Sequence, residues 1–237
     1  MADTPSLKLP LVAPSQAQKH VTVNEALARI DAALQLSVVS RVENSPPTLT
    51  EEGAVYLVPP GGGTNAWDGH GGELAFFVNG GWAFLEPLAG WRLYVADEAA
   101  YLSFDGVVWQ ENILSMGPSG AGMRAETVET DVVLDAGADQ LTGFVIPSGA
   151  VVYGVTGRVT DAITGTLTEW SLGVDGFEDR YGSGLGLGAG SWLRGLTGQP
   201  VTYYSATQLK LSATGGDFAS GTIKLAVHLM RFELPRA

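Results

Sequence analysis

The sequence predicts a mainly β chain with one N-terminal helix, a small region of repeated Trp-containing β-hairpins, and a C-terminal antiparallel β-sandwich or jelly roll. Three observations predict it. The 32 Gly and 12 Pro, set among many β-branched and aromatic residues, describe short strands joined by many turns. A hairpin figure occurs twice, as Gly53-Ala-Val-Tyr-Leu-Val58 leading to Phe77-Val-Asn-Gly-Gly-Trp82, and as Gly90-Trp-Arg-Leu-Tyr-Val95 leading to Phe104-Asp-Gly-Val-Val-Trp109. From Ala125 onward, short alternating segments follow one another with turn residues between them. At 237 residues the chain is long enough for two cores. The expected organisation is an arm and attachment helix over 1–43, a hairpin domain over 44–114, a Gly-rich linker over 115–124 and a β domain over 125–237.

Residues Leu7 to Pro14 hold two prolines and read as an extended arm. Thr22-Val-Asn-Glu25 has the spacing of a capping box, in which the Thr hydroxyl and the Glu carboxylate satisfy each other's backbone amides. A helix is therefore predicted over about Val23 to Val39, although Ser15-Gln-Ala-Gln-Lys-His20 can start it earlier. Val23, Leu27, Ile30 and Leu34 fall four, three and four apart. As a seam with Leu at a and Ile at d, these residues favour three or four strands over two. The same spacing serves an ordinary amphipathic helix packed on its own domain. His20 reads as a packed residue rather than a metal ligand.

Asn44-Ser-Pro-Pro47 opens the hairpin region. Each copy carries alternating apolar residues, an Asn-Gly or Asp-Gly step suited to a tight turn, and a Trp just beyond it. Trp82 and Trp109 read as the core of a small meander, and so do Trp91 and Tyr94. The first copy is longer by about ten residues, which correspond to the Gly-rich stretch holding Trp67, Asp68 and His70. An aromatic beside an acid and an imidazole suits stacking on a sugar ring with hydrogen bonds to its hydroxyls. The alternative is that Trp67 folds back to cover the sheet.

In the C-terminal region strands are predicted near 127–134, 143–146, 151–159, 167–174, 201–204, 208–213 and 222–232. The last alternates, with Ile223, Leu225, Val227 and Leu229 on one side and Lys224, Ala226, His228 and Met230 on the other. Residues 175–192 read as the longest irregular stretch, carrying Asp175, Glu178 and Asp179 and then alternating glycines. Three acids on one turn can bind calcium, act as a glycosidase pair, or stand solvated. The glycines permit close backbone packing or a flat ligand surface bounded by Trp192, Tyr203 and Tyr204.

Charge and composition exclude other classes. A formal net charge of −12 disfavours nucleic acid and anionic membrane surfaces, which require clustered Lys and Arg. With no Cys there is neither a disulfide framework nor a thiolate site. The three histidines, without a Gly-x-Ser-x-Gly elbow, give no basis for a Ser-His-Asp hydrolase, and no metal or cofactor motif appears. The N-terminus lacks a basic flank followed by a sustained apolar run, so an unsecreted chain without membrane insertion is expected.

The run from Leu9-Pro-Leu-Val through Gln18-Lys-His20 to Ile30-Asp31, with Tyr56-Leu-Val58, Trp67-Asp-Gly-His70, Gly90-Trp91 and Phe104-Asp-Gly106, resembles a family of uncharacterised proteins of phages, prophages and gene transfer agents. The resemblance covers about residues 7 to 110. It implies a head-spike or tail-fibre subunit made in the bacterial cytoplasm and assembled on the surface of a phage-like particle. It further implies a homotrimer, attachment to a capsid or tail adaptor protein through the N-terminal region, and adhesion to cell-surface polysaccharide. The expected function is non-enzymatic adhesion, with a purely structural connector and a capsule-degrading glycoside hydrolase as alternatives. The residues expected to meet saccharide are Trp67, Asp68, His70, Asp175, Glu178, Asp179, Trp192, Tyr203 and Tyr204.

Overall fold

The computed structural model describes residues 3–12 and 19–237. The chain is mainly β with one short N-terminal helix, and it divides into two compact units, Met1–Ile113 and Leu114–Ala237. The first unit contains α1 (Lys19–Ala33), β1 (Ser37–Val38), β2 (Val55–Leu57), a 3-10 turn (Asn65–Trp67), β3 (Leu74–Val78), β4 (Gly81–Leu85), β5 (Arg92–Val95), β6 (Ala100–Phe104) and β7 (Trp109–Glu111).

Helix α1 differs from its predicted span at both ends. Lys19 and His20 are already helical, so Thr22 lies inside the helix and does not cap it. No Gly or Pro separates Ser15 from Thr22, so nothing in the sequence stops the helix short of the box. Residues 13–18, where an earlier start was expected, lie outside the described residues. At the other end the Leu34 amide donates to the Ile30 carbonyl, and Gln35 turns left-handed with φ +57°. The β-branched Val38 then enters β1 instead of continuing the helix, and becomes 1% exposed.

The arm is bound to the helix through Asp31, a 5% exposed carboxylate. It accepts from the Thr4 hydroxyl at 2.6 Å and from the Ser6 and Leu7 amides at 2.9 and 2.6 Å. Burial alone would raise its pKa. These three donors outweigh that effect and hold it below the ordinary carboxylate value.

The two hairpins build two small sheets, β2-β3-β4 and β1-β5-β6-β7, with β1 parallel to β5. They share one hydrogen-bond scheme: Gly53 N–H donates to Phe77 O as Gly90 N–H does to Phe104 O. Val55 opposite Phe76 and Leu57 opposite Leu74 are therefore equivalent to Arg92 opposite Ser103 and Tyr94 opposite Tyr101. The turns differ. Asn79 and Gly80 both have positive φ, the geometry of a type I′ turn, whereas Asp105 closes a longer loop by accepting the Val107 and Val108 amides.

The hairpins pack head to tail. One core joins Val55, Leu57, Leu74 and Phe76 of the first to Leu93, Val95 and Leu102 of the second, which belong to the opposite face of the repeat. Ala32, Leu36 and Val38 complete it. The remaining face of the first hairpin carries Tyr56, Val58 and Ala75, and the 3-10 turn lays Trp67 across it.

The second unit holds β8 (Ile113–Met116), whose last three residues fall within it, then β9 (Gly122–Val133), β10 (Asp139–Ile146), β11 (Ala150–Gly165), β12 (Glu169–Val174), β13 (Phe177–Leu185), β14 (Trp192–Tyr203), β15 (Thr207–Thr214) and β16 (Phe218–Glu233). They form two sheets, ordered β10-β15-β12-β13 and β14-β11-β16-β9-β8. Both sheets feed one core, with Ile146, Leu172, Leu209 and Leu211 from one, and Val152, Val155, Leu193 and Leu225 from the other. In β16 the alternation holds: Ile223, Leu225, Val227 and Leu229 are at most 2% exposed.

Two sequence expectations are corrected here. Residues 115–124, read as a linker, contain the end of β8, a turn in which the Gly117 amide donates to the Ala121 carbonyl, and the start of β9. Residues 175–192, read as irregular, contain β13, and β14 starts at Trp192 instead of near Val201. Glycine carries no strand signal, and further along β14 a glycine lets two backbones approach. A side chain at Gly195 would collide with the Tyr181 carbonyl.

Candidate functional site

Of the residues expected to meet saccharide, Trp67, Asp68 and His70 lie in the first unit and the others in the second. Trp67 is 0% exposed, with its ring 5.4 Å from Tyr56 and 5.1 Å from Trp82. It is core, because a small sheet with an open aromatic face gains more by covering itself than by presenting Trp67 to solvent. His70 stacks flat on Phe84 at 3.5 Å, with Nδ1 3.0 Å from Glu73. Asp68 is exposed beside them. Trp67 of the insertion is therefore a cover for the sheet, while Asp68 stays in solvent.

Asp175 and Glu178 face Lys210, at 3.9 and 3.6 Å, and Asp139 approaches the same ammonium at 3.2 Å. The hydrogen bond that Lys210 donates to Asp139, ahead of the charges of Glu178 and Asp175, raises the Lys210 pKa. Asp179 is exposed on β13. The acids surround a cation on the four-stranded sheet, away from the aromatics they were grouped with. Among the described residues, no three His, Asp or Glu gather closely enough to hold a metal ion.

Tyr203 is 8% exposed, and its hydroxyl is 2.7 Å from that of Tyr181. Burial first, and then that hydrogen bond, drives the Tyr181 pKa far above the ordinary phenol value. The pair belongs to the core. Tyr204, the next residue, is 87% exposed just beyond the end of β14.

Trp192 remains. It is 65% exposed at the start of β14, on the outward face of the five-stranded sheet. Register sets its neighbours: Arg158 on β11 lies opposite Trp192, and Thr156 opposite Arg194. The Arg194 guanidinium carbon lies 5.9 Å from the Trp192 ring centre, within reach of the ring's negative face. Arg158 donates a long 3.5 Å bond to the Gly190 carbonyl. Neither arginine has an acidic partner among the described residues. Thr156, Arg158, Trp192, Leu193 and Arg194 line an open cleft of about 280 Å³. At its inner side His228 is held by both ring nitrogens, 2.9 Å from the Thr156 hydroxyl and 3.2 Å from the Thr127 hydroxyl.

An exposed indole flanked by two guanidiniums, with a hydroxyl beneath, can stack on a pyranose ring and pair with a carboxylate on it. Sequence reasoning placed Trp192 but missed its partners. Thr156 and Arg158 were legible, since Val155 and Val159 alternate with them and point inward. Arg194 was not, because it sits in the glycine-rich stretch without strand signals.

The same separation holds for the helix seam. Val23, Ile30 and Leu34 are 42%, 47% and 57% exposed, and Leu27 is half-buried. The seam faces away from the core that Ala32 and Leu36 enter.

Comparison with known proteins follows these boundaries. Residues 23–110 match the family described as Protein of unknown function (DUF2793). That match takes in most of α1 and both hairpins and ends inside β7. Among solved structures, a chain of "Cyanophage Pam1 capsid asymmetric unit" is similar at 22% identity with a TM-score of 0.38, over 46% of this chain and 86% of that one. Nothing is transferred from a likeness at that score. No curated protein matches the chain. Among the described residues, no helix is long and apolar enough to cross a membrane.

Proposed function

We propose that this protein is a non-enzymatic adhesion subunit of a phage-like particle, and that its Trp192 cleft takes up cell-surface polysaccharide bearing carboxylates. The carrying observation is the cleft itself: a 65% exposed Trp beside two arginines without acidic partners, on a chain of net charge −12. An anionic polymer is repelled by the molecule at large, so it needs a local cationic landing point. The resemblance of the N-terminal half to phage and gene-transfer-agent proteins supports the particle setting, as a head spike or tail fibre with a capsid or tail adaptor as its neighbour.

In this reading α1 is a short trimeric coiled coil and the second unit is a β-sandwich. The open seam of Val23, Leu27, Ile30 and Leu34 supports a homotrimer, and three weak clefts on one particle bind far more tightly than one. The engagement of Asp175 and Glu178 with Lys210 supports binding over hydrolysis.

The test is a pull-down of purified acidic capsular polysaccharide with the full chain and with Trp192→Ala. Wild type is expected to retain the polysaccharide and the variant to lose at least tenfold, a change of about 1.4 kcal/mol or more. Equal retention by both chains, or none by wild type, overturns the reading. The second outcome leaves the structural connector in its place.

A further inference from the structure

We infer that the open face of the second hairpin is a separate binding site for a uronic-acid saccharide. The argument starts from the repeat. In the first hairpin this face carries Val55, Leu57, Leu74 and Phe76, all at most 6% exposed against the second hairpin. The equivalent positions of the second hairpin are Arg92, Tyr94, Tyr101 and Ser103. A face that served a further apolar repeat would keep aliphatic residues. Here an apolar face has become an aromatic and hydrogen-bonding one.

The geometry suits a sugar. The Tyr94 and Tyr101 rings lie 5.0 Å apart at 55°, and Tyr101 is 64% exposed. A cleft of about 470 Å³ opens beside them, with Gln35, Ser37 and Arg92 on its rim. Ser37 is in register with Tyr94 across the parallel β1–β5 pair, and Gln35 is fixed by its left-handed backbone. The rim thus offers amide, hydroxyl and guanidinium groups around an aromatic floor, the usual make-up of a saccharide subsite. Arg92 has no acidic partner among the described residues, whereas Arg41 of the same unit is clamped by Glu98 and Glu111 at 2.6 and 2.7 Å. A planar guanidinium left unpaired on a chain of net charge −12 fits a carboxylate from outside.

The site belongs to the first unit and the Trp192 cleft to the second, and each has its own knockout. The probes are galacturonate, glucuronate and mannuronate oligosaccharides, with a neutral glucose oligosaccharide of equal length, titrated calorimetrically into the full chain carrying Trp192→Ala. At least one uronate probe is expected to bind, and Tyr101→Ala added to that chain is expected to weaken it about tenfold. Arg92→Gln is expected to weaken the uronate and to leave any neutral-sugar affinity unchanged. The exposure of Tyr101 and Arg92 spares the fold, which circular dichroism checks. Absence of uronate binding, or equal affinity in both variants, overturns the site. A change in oligomeric state on Tyr101→Ala without a change in sugar affinity also overturns it and makes the face a subunit contact.

Discussion

Trp67 and Trp192 have the same side chain and opposite fates, and the difference lies in what each ring can cover. Trp67 closes over Tyr56 and Trp82 on the face of its sheet that the second hairpin does not cover. Trp192 lies on a sheet whose other face already has a complete core. Trp67→Ala is therefore expected to cost about 3–5 kcal/mol, read by chemical denaturation, and to leave polysaccharide retention by the folded fraction unchanged. Loss of retention without loss of stability would restore Trp67 to the site. Asp31 gives a second residue-level expectation. Its folded pKa lies below the unfolded value of about 3.9, so its contribution is full above that pH and is lost as pH falls through the folded value. Asp31→Asn should cost about 1.5–3 kcal/mol at pH 7 and flatten the acid limb of the stability profile. Amide exchange at Ser6 and Leu7 reports the arm's release directly.

At the level of elements, legibility followed the side chains. The alternation of Ile223 to Leu229 defined β16, and Asn79-Gly80 defined the turn between β3 and β4, because branched residues and positive-φ steps each have one cheap backbone solution. Residues 175–192 hid a strand and the start of another, since their glycines carry no strand signal; just beyond them the close approach at Gly195 depends on a side chain that is not there. The capping-box spacing at Thr22 was present but unused, as the helix had already begun. The doubled hairpin was visible as a repeat. That its faces stack head to tail was not, because Leu93 and Val55 look alike in sequence although they belong to opposite faces. The helix seam makes its own prediction. Ile30 and Leu34 are 47% and 57% exposed, so Ile30→Asp with Leu34→Asp should leave the fold intact and convert a trimer to a monomer in light scattering. A wild-type monomer contradicts the seam.

For the whole molecule, charge is the organising quantity. The chain has 13 basic against 25 acidic residues, and several of its cations are engaged internally: Arg41 with Glu98 and Glu111, Lys210 with Asp139 and its neighbours, Arg231 with Glu126. Arg158 and Arg194 beside Trp192, and Arg92 beside Tyr101, have no acidic partner among the described residues, and each borders an exposed aromatic. That coincidence of spare cation and bare ring distinguishes a binding surface from a merely soluble one, and it required coordinates to see. The most direct test is a fluorescence titration of the full chain with acidic capsular oligosaccharide. Of the two Trp in the second unit Trp170 is 2% and Trp192 65% exposed, while Trp82, Trp91 and Trp109 belong to the first, so the part of the signal that Trp192→Ala removes reports the cleft. The account predicts a saturable change that loses most of its amplitude in Trp192→Ala and persists in Trp67→Phe; an unchanged titration in Trp192→Ala would contradict it.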